Sequence, residues 1–353
     1  MQTMIRARCA WLGPDLAPVS PATILISEGT IVATGAEAEE APVDRTERLD
    51  LPDVTLVPGF IDTHVHIGFA RPRDVLEGGV TTVRDLAWPP EKIHPLARRS
   101  KDADFEGPEI FAAGPMLTAP GGYPTRAAWA PPGTGLEIRN PQEARAAVDL
   151  VAAEGAIVVK VALNPPVGPT LDLETLRAVV ERAHDRELEV TGHVHGLDEL
   201  EKALEAGVDE LAHMLMSTEA IPEHVLDRMV ASGMIVVPTL SVRSSRDLDV
   251  AVENLRAFLE RGGQVVYGTD LGNEGPKPGI DLREVTAMGA AGMDPRAIAA
   301  SATSEAARHL GLTDRGTLEP GRRADLIGLT GSIEEAKDLC SVRFVMRGGR
   351  RVV

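Results

Sequence analysis

The chain is 353 residues long, 43% hydrophobic and 25% charged, which suits a globular protein with one large domain and a small one. Its net charge of −17 excludes nucleic acid and anionic membrane as natural partners, since both are polyanions. Cys9 and Cys340 are the only cysteines, so neither a disulfide framework nor a thiolate metal site is available, and a cytoplasmic location is expected.

The first residues, MQTMIRARCAWLGPD, carry no apolar run long enough for a signal peptide, and no later stretch approaches a membrane span. ATILISEGTIVATG reads as a hairpin turning at Glu28 and Gly29. From residue 57 the pattern changes to short apolar strands alternating with amphipathic helices. Strands are predicted over 57–66, 80–86, 109–113, 157–163, 189–195, 210–214, 235–240 and 264–269. Helices such as DLETLRAVVERAHDREL, LDELEKALEAG, EHVLDRMVASG and DLDVAVENLRAFLERG follow several of them. The C-terminal RADLIGLTG and VRFVMRGGRRVV return to a strand-turn-strand pattern. The α/β count fits a (β/α)8 TIM barrel over residues 57–314, with a small β-sandwich domain built from both chain ends, 1–56 and 315–353. A doubly wound open sheet is the alternative, but no GxGxxG follows the first strand.

VPGFIDTHVHIG sets His64 and His66 two apart on a strand, so both imidazoles face one side. They read either as two ligands to one metal or as ordinary histidines beside a turn. A barrel keeps its chemistry at the C-terminal strand ends, and of nine histidines His64, His66, His193, His195 and His213 fall there. His94, His184, His224 and His309 lie in helix-like stretches and read as surface or packing residues. GAIVVKVAL holds Lys160 in an apolar run where an unpaired ammonium is costly. That lysine either snorkels to the rim or has reacted with carbon dioxide to give a carbamate able to bridge two metals. VVYGTDLGN places Asp270 just past the last strand, as a helix N-cap or as a ligand, with Gly268 and Gly272 allowing close backbone approach.

These pieces resemble the amidohydrolase superfamily of metal-dependent hydrolases. The resemblance is carried by PGFIDTHVH, Lys160, the HVHG that holds His193, the AGVDELAHM that holds His213, YGTDLG with Asp270, and EPGRRADLIGL. GVTTVRDL and HVHG are similar to the prolidase-like and imidazolonepropionase-like branch. The resemblance implies two divalent ions: His64, His66 and Asp270 hold the more buried one, His193 and His213 the more exposed one. Carboxylated Lys160 and a hydroxide bridge the pair. Zinc suits such donors best, with manganese or iron as alternatives. The implied reaction is attack of the metal-activated hydroxide on an amide or peptide-like C–N bond, as in an N-acyl or aminoacyl amino acid. Asp270 moves the proton to the leaving amine. His195 shares a face with His193, so either is the ligand and the other a substrate contact or hydrogen-bond donor; the family pattern favours His193.

Specificity falls to the loops. GPMLTAPGGYPTRAAWAPPGTGLEIRNP is too long for a mere connector and carries Tyr123, Arg126 and Trp129. With Trp88, and with Arg243 and Arg246 in SVRSSRD, these are candidate substrate contacts, each with an alternative as packing anchor or solvated cation. Competing functions are a cyclic amide or lactone hydrolase, a deaminase, which would carry a glutamate near the strand-five histidine that HVHG lacks, and a scaffold without catalysis. The expected partner is a small-molecule substrate, and a homo-oligomer stays open.

Overall fold

The computed structural model describes residues 2–40, 46–215 and 217–353. The chain opens with β1 (Gln2–Leu12), β2 (Ala17–Val19), β3 (Ala22–Ser27), β4 (Thr30–Thr34) and β5 (Thr46–Pro58). The hairpin of β3 and β4 turns where expected: Glu28 and Gly29 take φ of 46° and 80°, the positive pair of a tight primed turn. Gly59 then separates β5 from β6 (Phe60–Val65), because a Cβ at this position would collide with the Thr81 side chain. The strand expected from residue 57 therefore starts at Phe60, while Val57 and Pro58 pair antiparallel with Ile327 and Leu326 near the other chain end.

The middle of the chain contributes β7 (Val80–Asp85), β8 (Glu109–Ala112), β9 (Met116–Thr118), β10 (Gly135–Glu137), β11 (Val158–Leu163), β12 (Glu189–Val194), β13 (Glu210–Leu211), β14 (Ile235–Val236) and β15 (Gln264–Val265). β6, β7 and β8 pair in parallel, as do β11 to β15 in chain order. The Ile157 amide donates to Ala112 O at 3.1 Å, linking β8 to the approach of β11. The chain beyond β15 comes back to β6: Thr63 N donates to Tyr267 O at 3.0 Å and Asp270 N to His64 O at 2.7 Å.

Three expected strands are shorter than their patterns. β13, β14 and β15 keep two ladder residues each, whereas 210–214, 235–240 and 264–269 were the expected spans. Beyond these ladders the backbone bends out of register, and Thr239 and Asp270 take φ of 46° and 58°. Helices Pro141–Glu154, Leu173–Asp185, Leu197–Ala206, Glu223–Ala231 and Ser245–Glu260 alternate with these strands. The Asn140 and Asp172 side chains cap two of them by accepting from Glu143 N and Thr175 N, and Gly155 and Gly207 end two in left-handed conformation. Apolar faces of strands and helices share one large core that includes Val83, Val161, Leu176, Val190, Leu211 and Phe258.

β16 (Leu326–Thr330), β17 (Val342–Arg347) and β18 (Arg350–Arg351) join the N-terminal strands in one eight-stranded sheet. Where a small β-sandwich was expected, the strands of both chain ends are linked by hydrogen bonds into one sheet. β1 pairs in parallel with β5, and β5 pairs with β16, so the hydrogen-bond path from the first strand to the last is unbroken. Ile5, Ile24, Ile31, Leu56, Leu326 and Phe344 form the core of this sheet. No described helix is long and apolar enough to cross a membrane.

Candidate metal centre

His64 lies on β6 and His66 just beyond it. Their Nδ1 atoms sit 2.8 Å from Ala212 O and 3.2 Å from Ala87 O, so carbonyls take the ring protons and both Nε2 lone pairs are free. Those Nε2 atoms lie 3.3 and 3.1 Å from Asp270 Oδ1, an atom with no hydrogen-bond partner. Two imidazoles and a carboxylate thus converge, with the three ligand atoms within 4.8 Å of one another. Gly268 and Gly272 permit the approach, as expected: a Cβ at 268 would meet Val237 and His64, and one at 272 would lie 2.8 Å from His66 Cβ.

Burial and neighbouring charge together shift the two rings in opposite directions. Burial, reinforced by the Lys160 charge, holds His64 well below the usual imidazole range. Burial pulls His66 the same way, but its contact with Asp270 prevails and raises it. Lys160 lies on β11 at 1% exposure, and its Nζ has no hydrogen-bond partner. Burial pushes its ammonium down to about 7, opposed by the carboxylates of Glu210 and Asp270. The rim-snorkelling alternative does not describe this side chain.

His193 and His213 sit together but not as open ligands. His193 Nδ1 is 2.9 Å from His213 Nε2, His193 Nε2 faces the Asn164 amide at 3.0 Å, and His213 Nδ1 faces Thr239 Oγ1 at 2.8 Å. A metal there would replace the bond between the two rings. His213 Nδ1 lies 3.9 Å from Asp270 Oδ2, which joins the pair to the first cluster. His195 is half-buried beyond β12 and lines a cavity of about 380 Å³ with Ser217, Glu219, Arg243 and Asp247. A larger cavity of about 560 Å³ meets Glu189, Ile235 and Gln264, which begin β12, β14 and β15, and so lies at the opposite end.

Of the loop residues, Tyr123 stacks on His193 at 4.8 Å between ring centroids, and Trp129 is 5.5 Å from His66. Trp88 is one layer out, edge-on to Phe69 at 4.7 Å. Arg126 and Arg246 are exposed, whereas Arg243 is buried.

Several residues went unread in the sequence. Asp62 accepts from His64 N and from Thr269 N, each at 3.1 Å, and from Thr269 Oγ1 at 2.6 Å, tying the first strand of the site to the last. Burial raises its carboxyl to about 7. Arg84 Nη2 donates to both Glu210 oxygens at 2.7 Å, and Thr191 Oγ1 and His309 Nε2 complete the shell of Glu210. His309 is thus no plain surface or packing histidine; it pairs with a buried carboxylate. The available signal was position: Asp62, Arg84 and Glu210 each interrupt an apolar strand segment.

The amidohydrolase family profile matches residues 55–352, and the chain belongs to that family. It is an enzyme, a hydrolase of carbon–nitrogen bonds. It is 26% identical to imidazolonepropionase of Deinococcus deserti over 96% of this chain and 94% of that protein. It is also 26% identical to ochratoxinase of Aspergillus niger, over 95% and 84%. A crystal structure of a Xaa-Pro dipeptidase with methionine bound in the active site superposes with a TM-score of 0.85 at 26% identity, over 99% of both chains.

Proposed function

We propose that this protein hydrolyses a small-molecule amide on a two-metal centre in a (β/α)8 barrel, with a small β domain formed by the two chain ends. The parallel strand order and the return of Asp270 to His64 support the barrel. The single observation that carries the reading is the convergence of His64, His66 and the unpartnered Asp270 Oδ1, with the orphaned Lys160 Nζ buried nearby. Unsatisfied buried polar atoms are costly, and a cation with a carbamate satisfies both.

His64, His66 and Asp270 would hold one divalent ion, His193 and His213 the other, with Lys160 between them as its carbamate. The neutral Lys160 amine forms the N–C bond to carbon dioxide and releases one proton. Zinc suits the donor set best, then manganese or iron. When bound, the metal pair supplies an acidified water and a polarised carbonyl. The chain does the rest. Asp270 takes the proton of the attacking water and passes it to the leaving nitrogen. Tyr123 and Trp129 wall the site and exclude bulk water. Ala212 and Ala87 carbonyls fix the His64 and His66 tautomers. Asn164 and Thr239 orient His193 and His213.

Purified protein assayed on N-acyl amino acids, dipeptides, hydantoins and lactones, before and after chelation, tests this reading. Amide cleavage lost on chelation and restored by zinc or manganese with bicarbonate is expected. Cleavage indifferent to chelation would refute it.

A further inference from the structure

Arg243 stands apart from the other loop arginines. It is 7% exposed; its Nη2 donates to Met214 O, and its buried Nε has no partner. Among the described residues it makes no ion pair, although Asp247, Asp270 and Glu284 face it from farther off. Glu284 accepts a hydrogen bond from Ser241 N, and burial raises its carboxyl to about 8, so it supplies little negative charge near neutrality. A guanidinium held out of water without a counter-ion is strongly unfavourable, and five donors need acceptors.

What Arg243 faces is the 380 Å³ cavity it shares with His195, within the range of small-molecule pockets. That cavity adjoins the centre described above: His195 is two residues beyond His193, whose ring touches His213 and Tyr123. Glu219 and Asp247 lie on the same cavity wall, which disfavours a dianion such as a phosphate ester. A monoanionic, two-oxygen group fits the planar fork of the guanidinium.

We infer that Arg243, with His195 beside it, receives a carboxylate on the substrate, so that the substrates are N-acylated or aminoacylated amino acids rather than neutral amides. This rests on the hydrolase reading above and adds the identity of the substrate's second anchor. Arg126 and Arg246, both solvated, have no such role.

The test uses zinc-loaded protein and a matched pair of probes, N-acetyl-L-leucine and N-acetyl-L-leucinamide, followed by both calorimetric binding and hydrolysis. The wild type is expected to bind the acid about 10–100-fold more tightly than the amide, as one charged bidentate contact implies. Arg243→Met should abolish that preference and Arg243→Lys should keep part of it, while R126A and R246A retain it. Metal content measured on each variant shows whether the centre is intact. Failure to bind the acid, equal binding of acid and amide by the wild type, or a preference that survives in Arg243→Met would overturn the carboxylate receptor. None of those results touches metal-dependent amide cleavage. Protein that takes up no metal would instead overturn the hydrolase reading itself.

Discussion

Removing Glu210 should cost more stability than removing both Glu210 and its partner. Glu210 is fully buried and Arg84 is 1% exposed, with Arg84 Nη2 2.7 Å from both carboxylate oxygens. Glu210→Leu leaves the Arg84 charge in the protein interior without a counter-ion, and also strips partners from Thr191 and His309. Breaking such a pair from one side costs about 3–5 kcal/mol, against a total of about 5–15 kcal/mol for a folded domain. Arg84→Met with Glu210→Leu removes both charges, so most of that loss should return. Urea denaturation of metal-free protein, followed by circular dichroism, reads the three variants without a contribution from metal binding. Acid supplies a second arm. Burial would raise the Glu210 carboxyl, but the Arg84 charge and the His309 contact override it and hold it well below the usual carboxylate range. Its stabilisation is therefore present above about pH 4.3, the unfolded value, and is lost as pH falls through the folded one. The double variant should lack that acid-dependent component. A double variant no more stable than Glu210→Leu, or a single variant within about 1 kcal/mol of wild type, would refute the reasoning.

Asp270→Asn keeps the shape and one oxygen but loses the proton acceptor, so kcat should fall roughly a hundredfold or more while metal content changes less; near-native turnover would place the base elsewhere, with His195 the first suspect. Gly268→Ala drives a Cβ against Val237 and to 3.1 Å from His64 Cβ, which should cost about 1–3 kcal/mol and weaken metal binding, both read by denaturation with and without zinc. Lys160 has its folded pKa lowered to about 7, so in chelated, carbonate-free protein the unfolded state binds the extra proton between there and about pH 10.4. Stability should rise with pH across that window, and the rise should shrink in Lys160→Met; identical slopes would mean that the lysine is not held neutral by burial.

Much of this was legible because buried parallel strands advertise themselves through apolar runs, here with histidines at their ends. His64, His66 and Asp270 were readable since strand alternation fixes the face of the first two and flanking glycines mark the third. Boundaries failed where tertiary pairing decides them. Val57 and Pro58 are as apolar as β6, and only their pairing with β16 assigns them to the small sheet. The single sheet was unreadable for the same reason: β1 pairs with β5 across a long connection, and no local pattern encodes a parallel partner. Arg84, Glu210 and His309 come from separate parts of the chain, and only the tertiary fold brings them together. His195 and Arg243 differ from their neighbours His193 and Arg246 by burial, which composition does not reveal.

The most direct measurement is the metal and carbamate content of protein loaded with zinc in ¹³C-bicarbonate, by elemental analysis and ¹³C NMR on one sample. Two zinc ions per chain with a labelled carbamate resonance that vanishes in Lys160→Ala is the predicted result. A chain that holds one ion or none, with no labelled carbon at Lys160, would contradict the two-metal centre.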